Sequence, residues 1–459
     1  MIRTRFAPSP TGELHIGGVR TALFSYLFAK HENGQFYLRI EDTDRERYVE
    51  GSVDGIKESL QWLGIRPDNY DDILVQSERT EIYKKHALTL VEKGAAYVCE
   101  CSKERLLALR NTQNANKQAP MYDRACVDKN LEYKEGCVIR LKMPTNDIVV
   151  DDLIRGKVKY DGKLVDDPVI LKSDGFPTYH LASVVDDHEM EISHVIRAEE
   201  WLSSTPKHIT LYQAFDWQAP AFAHLPMILG TDKKKLSKRH GATAVLEYKT
   251  IGYLPDAVVN FLALLGWNPG DECEEFSAER LISDFRLENV NKSPAIFDID
   301  KLNHINESYI RGRDFGQLKN ELQEAANIND LTDGEIALAK RGGFKTLVEI
   351  ADYLKKLRAE PDYQRELLIF NKSDAPTTQK GLNVARQKLA TASVWSEEEL
   401  QNLLSETVAG SEMTNGDVFW PVRVALSGKE KSPSPVELLI ALDRTESLKR
   451  IDYAIAKLL

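Results

Sequence analysis

The sequence predicts an α/β protein whose last third is entirely helical. Residues 35–40 have the pattern of a β-strand, and apolar side chains at helical spacing follow at 45–63. A second strand pattern at 194–197 leads into a helical pattern at 207–215, so the α/β alternation returns late in the chain. From about residue 320 onward the apolar spacing is mostly helical.

Composition favours a large cytoplasmic protein. The chain has 459 residues, of which 42% are hydrophobic and 29% charged, enough to bury the cores of three or more domains. No apolar run approaches the length of a membrane span, and the first residues lack the apolar stretch of a secretory signal. The net charge of −11 means that any RNA-binding surface must be a localised basic stripe.

Residues 7–18 form a segment that predicts a nucleotide-binding turn. Pro8 and Pro10 fix an extended backbone, and a helical pattern begins at His15. The free N–H groups of a helix start favour anionic oxygens, and Gly17 and Gly18 remove Cβ atoms that would hold a nucleotide at a distance. The spacing matches neither a P-loop nor a dinucleotide fingerprint. The alternative is a tight turn before an ordinary core helix.

A lysine-rich stretch at 233–240 predicts a loop that can close over a triphosphate. Lys235 and Lys238 lie in a sequence too polar to be buried. Ammonium groups brought to a five-coordinate phosphorus stabilise that transition state more than the ground state. A lysine-rich loop by itself is usually a solvated surface, but its combination with the segment 7–18 favours the catalytic interpretation.

The region between the two α/β parts, residues 99–190, has a different character. It contains a polar loop at 113–118 and strand patterns at 138–142 and 149–158. These features predict an inserted domain.

Two capping-box patterns mark helix starts in the last third of the chain. Thr332 precedes Glu335, and Ser396 precedes Glu399, each pair at the spacing of a reciprocal cap.

Three of the five cysteines are close together in the sequence. Cys99, Cys101 and Cys126 offer three thiolates, and Tyr122 and Asp128 are two candidate oxygen ligands beside them. An odd, clustered set of cysteines argues against a disulfide framework, and three thiolates with one further ligand suit tetrahedral zinc. The alternative is a cluster of reduced thiols without a metal.

Taken together, these motifs resemble those of bacterial glutamyl-tRNA synthetases, which are class I aminoacyl-tRNA synthetases. The resemblance extends over the whole chain. It rests on residues 5–12, 39–44, 177–180, 184–187, 194–201, the lysine loop at 235–239, and 421–428.

The resemblance implies a Rossmann-like class I synthetase catalytic domain with an inserted α+β acceptor-binding domain, followed by an all-α anticodon-binding region. The expected boundaries are 1–98 and 191–245 for the two halves of the catalytic domain, 99–190 for the inserted domain, 246–318 for a stem-contact domain and 319–459 for the anticodon-binding region.

It also implies that L-glutamate and ATP form glutamyl-adenylate and pyrophosphate, and that the glutamyl group moves to the 3′ end of tRNA(Glu). No side chain need act as a nucleophile, because the carboxylate of glutamate attacks and the protein supplies alignment and charge stabilisation. The expected cofactors are Mg²⁺ with the ATP, and Zn²⁺. The expected form is a monomer without a membrane partner.

Site residues follow from the matching positions. For glutamate, Arg5 and Arg197 would supply cations for the two carboxylates and Glu41 an anion for the ammonium group, although two ordinary salt bridges would also explain the arginines. The glutamate pocket comprises Arg5, Ala7, Ser9, Glu41, Tyr179 and Arg197. The ATP site comprises His15, Gly17, Gly18, Glu200, Trp201, Lys235 and Lys238, of which His15, Lys235 and Lys238 are the expected catalytic residues.

Three positions, Trp201, Ser183 and Asp128, each have an alternative assignment in this pattern. Trp201 would also suit a hydrophobic core, and Ser183 stands where some family members have asparagine. In the zinc set Cys99, Cys101, Cys126 and Asp128, the aspartate occupies the position of a family histidine, and Tyr122 competes with it.

Gly343 departs from the family pattern. Members that are selective for tRNA(Glu) tend to have arginine there, which can reject a wrong anticodon base. We therefore expect relaxed selectivity, with charging of tRNA(Gln) as well; the alternative is a glycine that only ends a helix.

Other functions fit the sequence less well. A glutaminyl-tRNA synthetase would have β-barrels where this chain shows capped helices, and a tRNA-modifying paralogue would lack the last third. An inactive synthetase-like tRNA-binding module would not need the complete set of pocket residues.

Overall fold

A computed structural model describes residues 1–234, 236, 243–410 and 412–459, apart from the side chain of Ala326. The chain forms two compact units. The first comprises Met1–Glu247 and Val258–Ile299, and the second comprises Tyr248–Ala257 and Asp300–Leu459.

The elements up to residue 299 comprise both strands and helices. The strands are β1 (Arg3–Phe6), β2 (Gln35–Ile40), β3 (Leu74–Val75), β4 (Ala96–Cys99), β5 (Val138–Leu141), β6 (Ile148–Asp152), β7 (Gly156–Tyr160), β8 (Val169–Leu171), β9 (His194–Ala198), β10 (Ala221–Leu225), β11 (Ile228–Leu229) and β12 (Ala295–Ile296). The helices are α1 (Ile16–His31), α2 (Ser52–Trp62), α3 (Thr80–Glu92), α4 (Lys103–Ala115), α5 (Tyr179–Glu189), α6 (Thr205–Phe215), α7 (Val245–Ile251), α8 (Pro255–Leu264) and α9 (Ala278–Asp284).

Two groups of parallel strands position the site in the first unit. One sheet has the order β1-β2-β3, and the other has the order β7-β6-β10-β9, in which β6, β10 and β9 are parallel. The backbone N–H of Ser193 donates to the carbonyl of Arg3 (3.0 Å), which joins the start of β9 to β1. The carboxyl ends of β1, β2 and β9 therefore open at one edge, where α/β proteins bind ligands.

A smaller antiparallel sheet of order β4-β5-β8 lies between these elements in the sequence. The predicted strand at 149–158 is instead a hairpin of β6 and β7, because Gly156 at φ +76° reverses the chain. Part of the polar loop predicted at 113–118 was also wrong. α4 extends to Ala115; the Ser102 hydroxyl caps it, and it buries no side chain, so it lacks the apolar stripe that reveals a helix.

The second unit is helical. From residue 299 onward, the helices are α10 (Ile299–Gly312), α11 (Phe315–Ala326), α12 (Asp333–Arg341), α13 (Leu347–Arg358), α14 (Ala375–Ala390), α15 (Glu397–Ala409), α16 (Asn415–Ser427) and α17 (Pro435–Leu458). The capping box predicted at Thr332 and Glu335 is confirmed. At Ser396 only half is formed, because the Glu399 carboxylate accepts from Ser393 instead.

Among the described residues, no helix combines the length and apolar character that a membrane crossing requires.

Candidate active site

A cleft of about 1240 Å³ opens at the carboxyl ends of β1, β2 and β9. Arg5 lies in β1, Arg197 lies in β9, and Glu41 directly follows β2. All three residues line the cleft. Its other lining residues include Ala7, Ser9, His15, Gly17, Gly18, Tyr179, Glu200 and Trp201. The cleft therefore brings together every glutamate- and ATP-site residue predicted from sequence that the structure describes.

His15 caps the first turn of α1. Its Nδ1 accepts hydrogen bonds from the N–H groups of Gly17 (3.1 Å) and Gly18 (3.3 Å). The proton of the neutral ring therefore sits on Nε2, on the opposite edge of the imidazole. Two N–H groups that we expected to receive anionic oxygens are occupied by the cap, so a phosphate would meet the imidazole instead.

The two glycines allow the chain to fold tightly around this cap. A Cβ on Gly17 would lie 3.1 Å from His15 Cε1 and 3.2 Å from Nδ1, and a Cβ on Gly18 would lie 2.9 Å from Leu14 Cδ1. Their immediate role is thus to make room for His15 and Leu14.

The described ends of the lysine loop lie beside the same helix start. Ala244 forms a β-bridge with His15, and the N–H of Val245 donates to the carbonyl of Leu14 (2.9 Å). Leu236 and Thr243, on either side of the segment 237–242, both line the cleft. Lys235 and Lys238 lie outside the described residues.

A buried ion network links two of the predicted glutamate-site residues. Asp187 accepts from Arg5 Nε (3.1 Å) and from Arg39 Nη1 (2.6 Å), and Arg39 Nη2 donates to Glu41 (2.8 Å). All four side chains are buried. Arg39 and Asp187 were not predicted as site residues from the sequence. Arg39 lies two residues before Glu41, the spacing at which side chains of an extended chain point the same way.

Burial and charge act in opposite directions on the pKa values in this network. Burial raises the pKa of Glu41, and Arg39 opposes that effect without cancelling it. For Asp187 burial also acts upward, but Arg39 and Arg5 outweigh it and lower the pKa. The network fixes the orientations of the Arg5 and Glu41 side chains.

Arg197 has a different environment. It is 4% exposed, and among the described residues no carboxylate lies within 4.0 Å of its guanidinium. Its nitrogens donate to neutral acceptors, namely Tyr179 Oη (2.7 Å), Thr205 Oγ1 (2.9 Å), His224 Nε2 (3.0 Å), Trp201 O (3.3 Å) and His208 Nδ1 (3.4 Å). The salt-bridge explanation therefore fits Arg5 but not Arg197.

The histidines around Arg197 are buried and favour the neutral form. Burial lowers the pKa of His208, and Arg197 adds to this effect. Burial likewise lowers the pKa of His224, against the opposing hydrogen bond to Asp152. Behind His208, burial lowers the pKa of His180 to about 3.

Trp201 does not belong to the core. Its side chain is 39% exposed at the cleft, and its ring centroid lies 4.5 Å from that of Tyr179. The exposed ring offers a flat apolar surface in the cleft. Ser183 is buried in α5 and accepts from Arg39 Nη2 at 3.3 Å.

The cysteine cluster lies away from the cleft lining, at the end of β4. The Sγ atoms of Cys99, Cys101 and Cys126 all lie within 4.8 Å of one another. The Tyr122 hydroxyl is 3.4 Å from the Cys99 Sγ and 3.3 Å from the Cys101 Sγ. Asp128 is exposed and is not part of any such group among the described residues. Three thiols and one hydroxyl thus converge in the numbers that suit tetrahedral zinc.

Comparison with protein families identifies both units. Residues 1–304 match the catalytic domain of class I tRNA synthetases (E and Q), and residues 314–455 match an anticodon-binding domain. A glutamate–tRNA ligase of Dehalococcoides mccartyi is 46% identical over 476 aligned residues, covering 100% of this chain and 98% of the relative. The chain belongs to the glutamate–tRNA ligase family of class I tRNA synthetases.

Two further similar proteins are also glutamate–tRNA ligases. The glutamate–tRNA ligase of Moorella thermoacetica is 42% identical, with 99% of this chain and 98% of the relative covered. A crystal structure of a glutamate–tRNA ligase from Elizabethkingia meningosepticum, in complex with its amino acid, is 34% identical and superposes with a TM-score of 0.89 over 100% of both chains.

The comparisons confirm the predicted family and fold class. A class I synthetase catalytic domain is followed by a helical anticodon-binding region, as members of the glutamate–tRNA ligase family are built. The finer domain boundaries and the roles of individual residues remain predictions.

Proposed function

We propose that this chain is a glutamate–tRNA ligase, which converts L-glutamate and ATP to glutamyl-adenylate with release of pyrophosphate and then transfers the glutamyl group to the 3′ end of tRNA(Glu) with release of AMP. The observation that carries the proposal is the buried Arg197 guanidinium, whose described hydrogen-bond acceptors are all neutral, in the same cleft as the helix start capped by His15. An unneutralised cation suits a substrate with an anionic side chain. An imidazole at a helix start suits phosphate oxygens.

The glutamate pocket would use its charges as follows. Arg197 and Arg5 bind the two carboxylates, and Glu41 binds the ammonium group, while Ala7, Ser9 and Tyr179 complete the wall. The Asp187 carboxylate accepts from Arg5 Nε and Nη2, which leaves Nη1 for the substrate. Fixed charges of this kind favour a preorganised pocket.

The ATP site would be formed by His15, Gly17, Gly18, Glu200, Trp201, Lys235 and Lys238. His15 presents Nε2–H to a phosphate, and the two lysines act as mobile cations at the reacting α-phosphorus. Mg²⁺ accompanies the ATP and neutralises part of its charge. The support for this assignment is that Leu236 and Thr243, which flank the segment 237–242, both line the cleft.

Charging of purified tRNA(Glu) with labelled glutamate and ATP tests the function directly. We expect labelled aminoacyl-tRNA to form with tRNA(Glu). An enzyme that binds tRNA(Glu) but charges neither tRNA(Glu) nor tRNA(Gln) would instead be an inactive tRNA-binding module.

A structural zinc ion would fit the cysteine cluster, with Tyr122 as the fourth ligand in place of Asp128. The support is the position of the Tyr122 hydroxyl between the thiols. When bound, the ion would cross-link β4 to the loop that carries Cys126 and stabilise the inserted domain.

Cobalt binding distinguishes the two oxygen ligands. Co²⁺ in a site with three thiolates should give intense visible absorption, which C126S abolishes and Y122F weakens or shifts. D128N serves as the matched control and should leave the spectrum unchanged. An unchanged spectrum for Y122F with a loss for D128N would reverse the assignment, and no cobalt binding by the native chain would leave a metal-free thiol cluster.

Relaxed tRNA selectivity is supported by the absence of a side chain at Gly343. The residue is exposed just after α12. Among the described residues, only Glu307 Oε1, at 3.9 Å, lies within 4 Å of where its Cβ would stand. Its φ of +68° also suits glycine, so the helix-ending role alone would explain it. We propose that the chain charges both tRNA(Glu) and tRNA(Gln).

A pair of variants separates anticodon selection from backbone strain. G343R restores the cation, whereas G343A carries the same strain without charge. We expect G343R to reduce charging of tRNA(Gln) about tenfold or more relative to tRNA(Glu), and G343A to leave the ratio unchanged. If the native chain charges tRNA(Glu) alone, or if both variants change the ratio equally, Gly343 does not relax selectivity.

The remaining assignments concern the whole chain. We propose a cytoplasmic monomer in which the inserted region 99–190 contacts the acceptor stem, 246–318 contacts the stem below it, and 319–459 holds the anticodon. The match of 314–455 to an anticodon-binding domain supports the last of these.

A further inference from the structure

The orientation of Arg197 depends on the protonation pattern of His224. The guanidinium can only donate, so His224 Nε2, 3.0 Å from Arg197 Nε, must accept. The ring proton therefore sits on His224 Nδ1. That N–H donates to Asp152 Oδ2 at 2.5 Å, and neither His224 nor Asp152 has any exposed side-chain surface.

Asp152 is built to accept and cannot itself donate. Its Oδ1 accepts from the N–H groups of Ile154 (3.0 Å) and Arg155 (2.8 Å), and Oδ2 accepts from His224. Burial acts to raise the pKa of Asp152, but the hydrogen bonds, led by that from His224, outweigh it and keep the carboxylate ionised. An ionised acceptor on Nδ1 leaves His224 only one tautomer.

The neutral acceptors around Arg197 satisfy its hydrogen bonds without cancelling its positive charge. A carboxylate in direct contact would satisfy the guanidinium but would also cancel its charge, as Asp187 and Glu41 do for Arg39. His224 satisfies Arg197 Nε without charge and holds the Asp152 carboxylate one imidazole ring away. The Coulomb attraction of Arg197 thus remains available to a ligand in the cleft.

We propose that Asp152 and His224 are positioning residues for glutamate recognition: they hold Arg197 in place while keeping its charge available to the side-chain carboxylate of the substrate. This inference rests on the proposed glutamate–tRNA ligase function. It predicts discrimination against glutamine, because a neutral amide gains hydrogen bonds from Arg197 but not the full charge attraction.

Asp152→Asn separates this role from a structural one. The Asn oxygen can still accept from the N–H groups of Ile154 and Arg155, so the turn after β6 is retained. Its NH₂ group replaces Oδ2 and donates to His224 Nδ1, which forces the ring proton onto Nε2. Nε2–H then faces Arg197 Nε–H, and two donors cannot bond.

The test is charging of tRNA(Glu) by the full chain, with ATP and tRNA saturating and glutamate varied. We expect D152N to raise the KM for glutamate about 10- to 100-fold, with kcat and the KM for ATP changed less than about threefold. The inhibition constant of glutamine should change much less than the KM for glutamate. D151N is the matched control, because Asp151 is the exposed neighbour on the same strand.

A second variant checks the tautomer argument. In D152N/H224Q the glutamine oxygen can accept from Arg197 Nε without depending on residue 152, so the KM for glutamate should recover toward the native value. Unchanged glutamate KM in D152N, equal effects on glutamate and ATP, or no recovery in the double variant would each overturn the inference. Failure of the native chain to charge tRNA(Glu) would instead contradict the proposed function.

Discussion

At the residue scale, two buried arginines show how one side chain can serve opposite purposes. Arg39 is surrounded by carboxylates, so its charge is used to hold Asp187 and Glu41 in place. Arg197 donates to neutral acceptors, so no direct ion pair among the described residues cancels its charge. Burying a guanidinium costs free energy at both positions. The ion network offsets this cost for Arg39, and hydrogen bonds to neutral acceptors offset it for Arg197.

Gly17 gives a prediction at this scale. In G17A the new Cβ would stand 3.1 Å from His15 Cε1, so the ring must shift and weaken its cap. We expect the KM for ATP to rise roughly tenfold, about 1.4 kcal/mol, while the KM for glutamate is unchanged. In the part of the chain that the structure describes, nothing lies within 4 Å of the Cβ position of Gly55 in α2, so G55A is a control that should leave both KM values unchanged. Equal effects of the two variants on ATP would contradict the role given to His15.

At the element scale, the caps of the second unit differ in completeness. Ser434 and Glu437 form both bonds of a capping box at the start of α17, where Ser434 Oγ accepts from Glu437 N (3.2 Å) and Glu437 Oε2 from Ser434 N (2.8 Å). At α15 Ser396 only accepts, at a longer 3.4 Å. The sequence pattern of serine and glutamate is the same at both sites, so the neighbouring Ser393 decides the difference.

Alanine substitution measures that difference. S434A should destabilise the second unit by about 1 kcal/mol, within the range typical of lost N-caps. S396A should lower the free energy of unfolding distinctly less, because the hydrogen bond from Glu399 N to Ser396 Oγ is longer and the Glu399 carboxylate is bound to Ser393. Urea unfolding followed by circular dichroism, with m-values compared to exclude a changed denatured state, reports both numbers. A larger loss of unfolding free energy in S396A than in S434A would show that these hydrogen-bond lengths do not predict how much each cap stabilises its helix.

At the scale of the whole molecule, the buried and half-buried histidines near Arg197 make the folding stability depend on pH. The pKa values of His180, His208 and His224 are lowered in the fold, chiefly by burial. The unfolded chain would therefore take up protons below its ordinary histidine pKa of about 6.5, while the folded chain would not. The three histidines therefore contribute their full share of the free energy of unfolding above about pH 6.5, and this contribution is lost as the pH falls below that value.

This sign can be checked by thermal unfolding between pH 7 and pH 5. We expect the midpoint to fall with pH, each neutral histidine contributing up to about 1.4 kcal/mol per pH unit below pH 6.5. H180Q should make the fall shallower, whereas H304Q, at an exposed position of the second unit, should not. A fall of the same slope in H180Q would assign the pH dependence to other groups.

The local sequence determined the features that depend on near neighbours. β2 at Gln35–Ile40 was predicted to the residue, His15 was predicted at its helix start, and the cap at Thr332 followed from a spacing of three residues. Family membership was also readable, because the motifs that carry the resemblance are short and contiguous.

The tertiary structure decided which distant side chains meet. Arg39 and Asp187 are 148 residues apart, and Asp152 and His224 are 72 apart, so no local pattern could pair them. The sequence likewise could not choose between the two candidate oxygen ligands. The Tyr122 hydroxyl contacts the thiol of Cys99, whereas Asp128, although only two residues from Cys126 in the sequence, is exposed. Hydrophobic periodicity specifies strands and helices, whereas the partners of a buried charge are fixed only when those elements pack, because charge pairing acts through space and not along the chain.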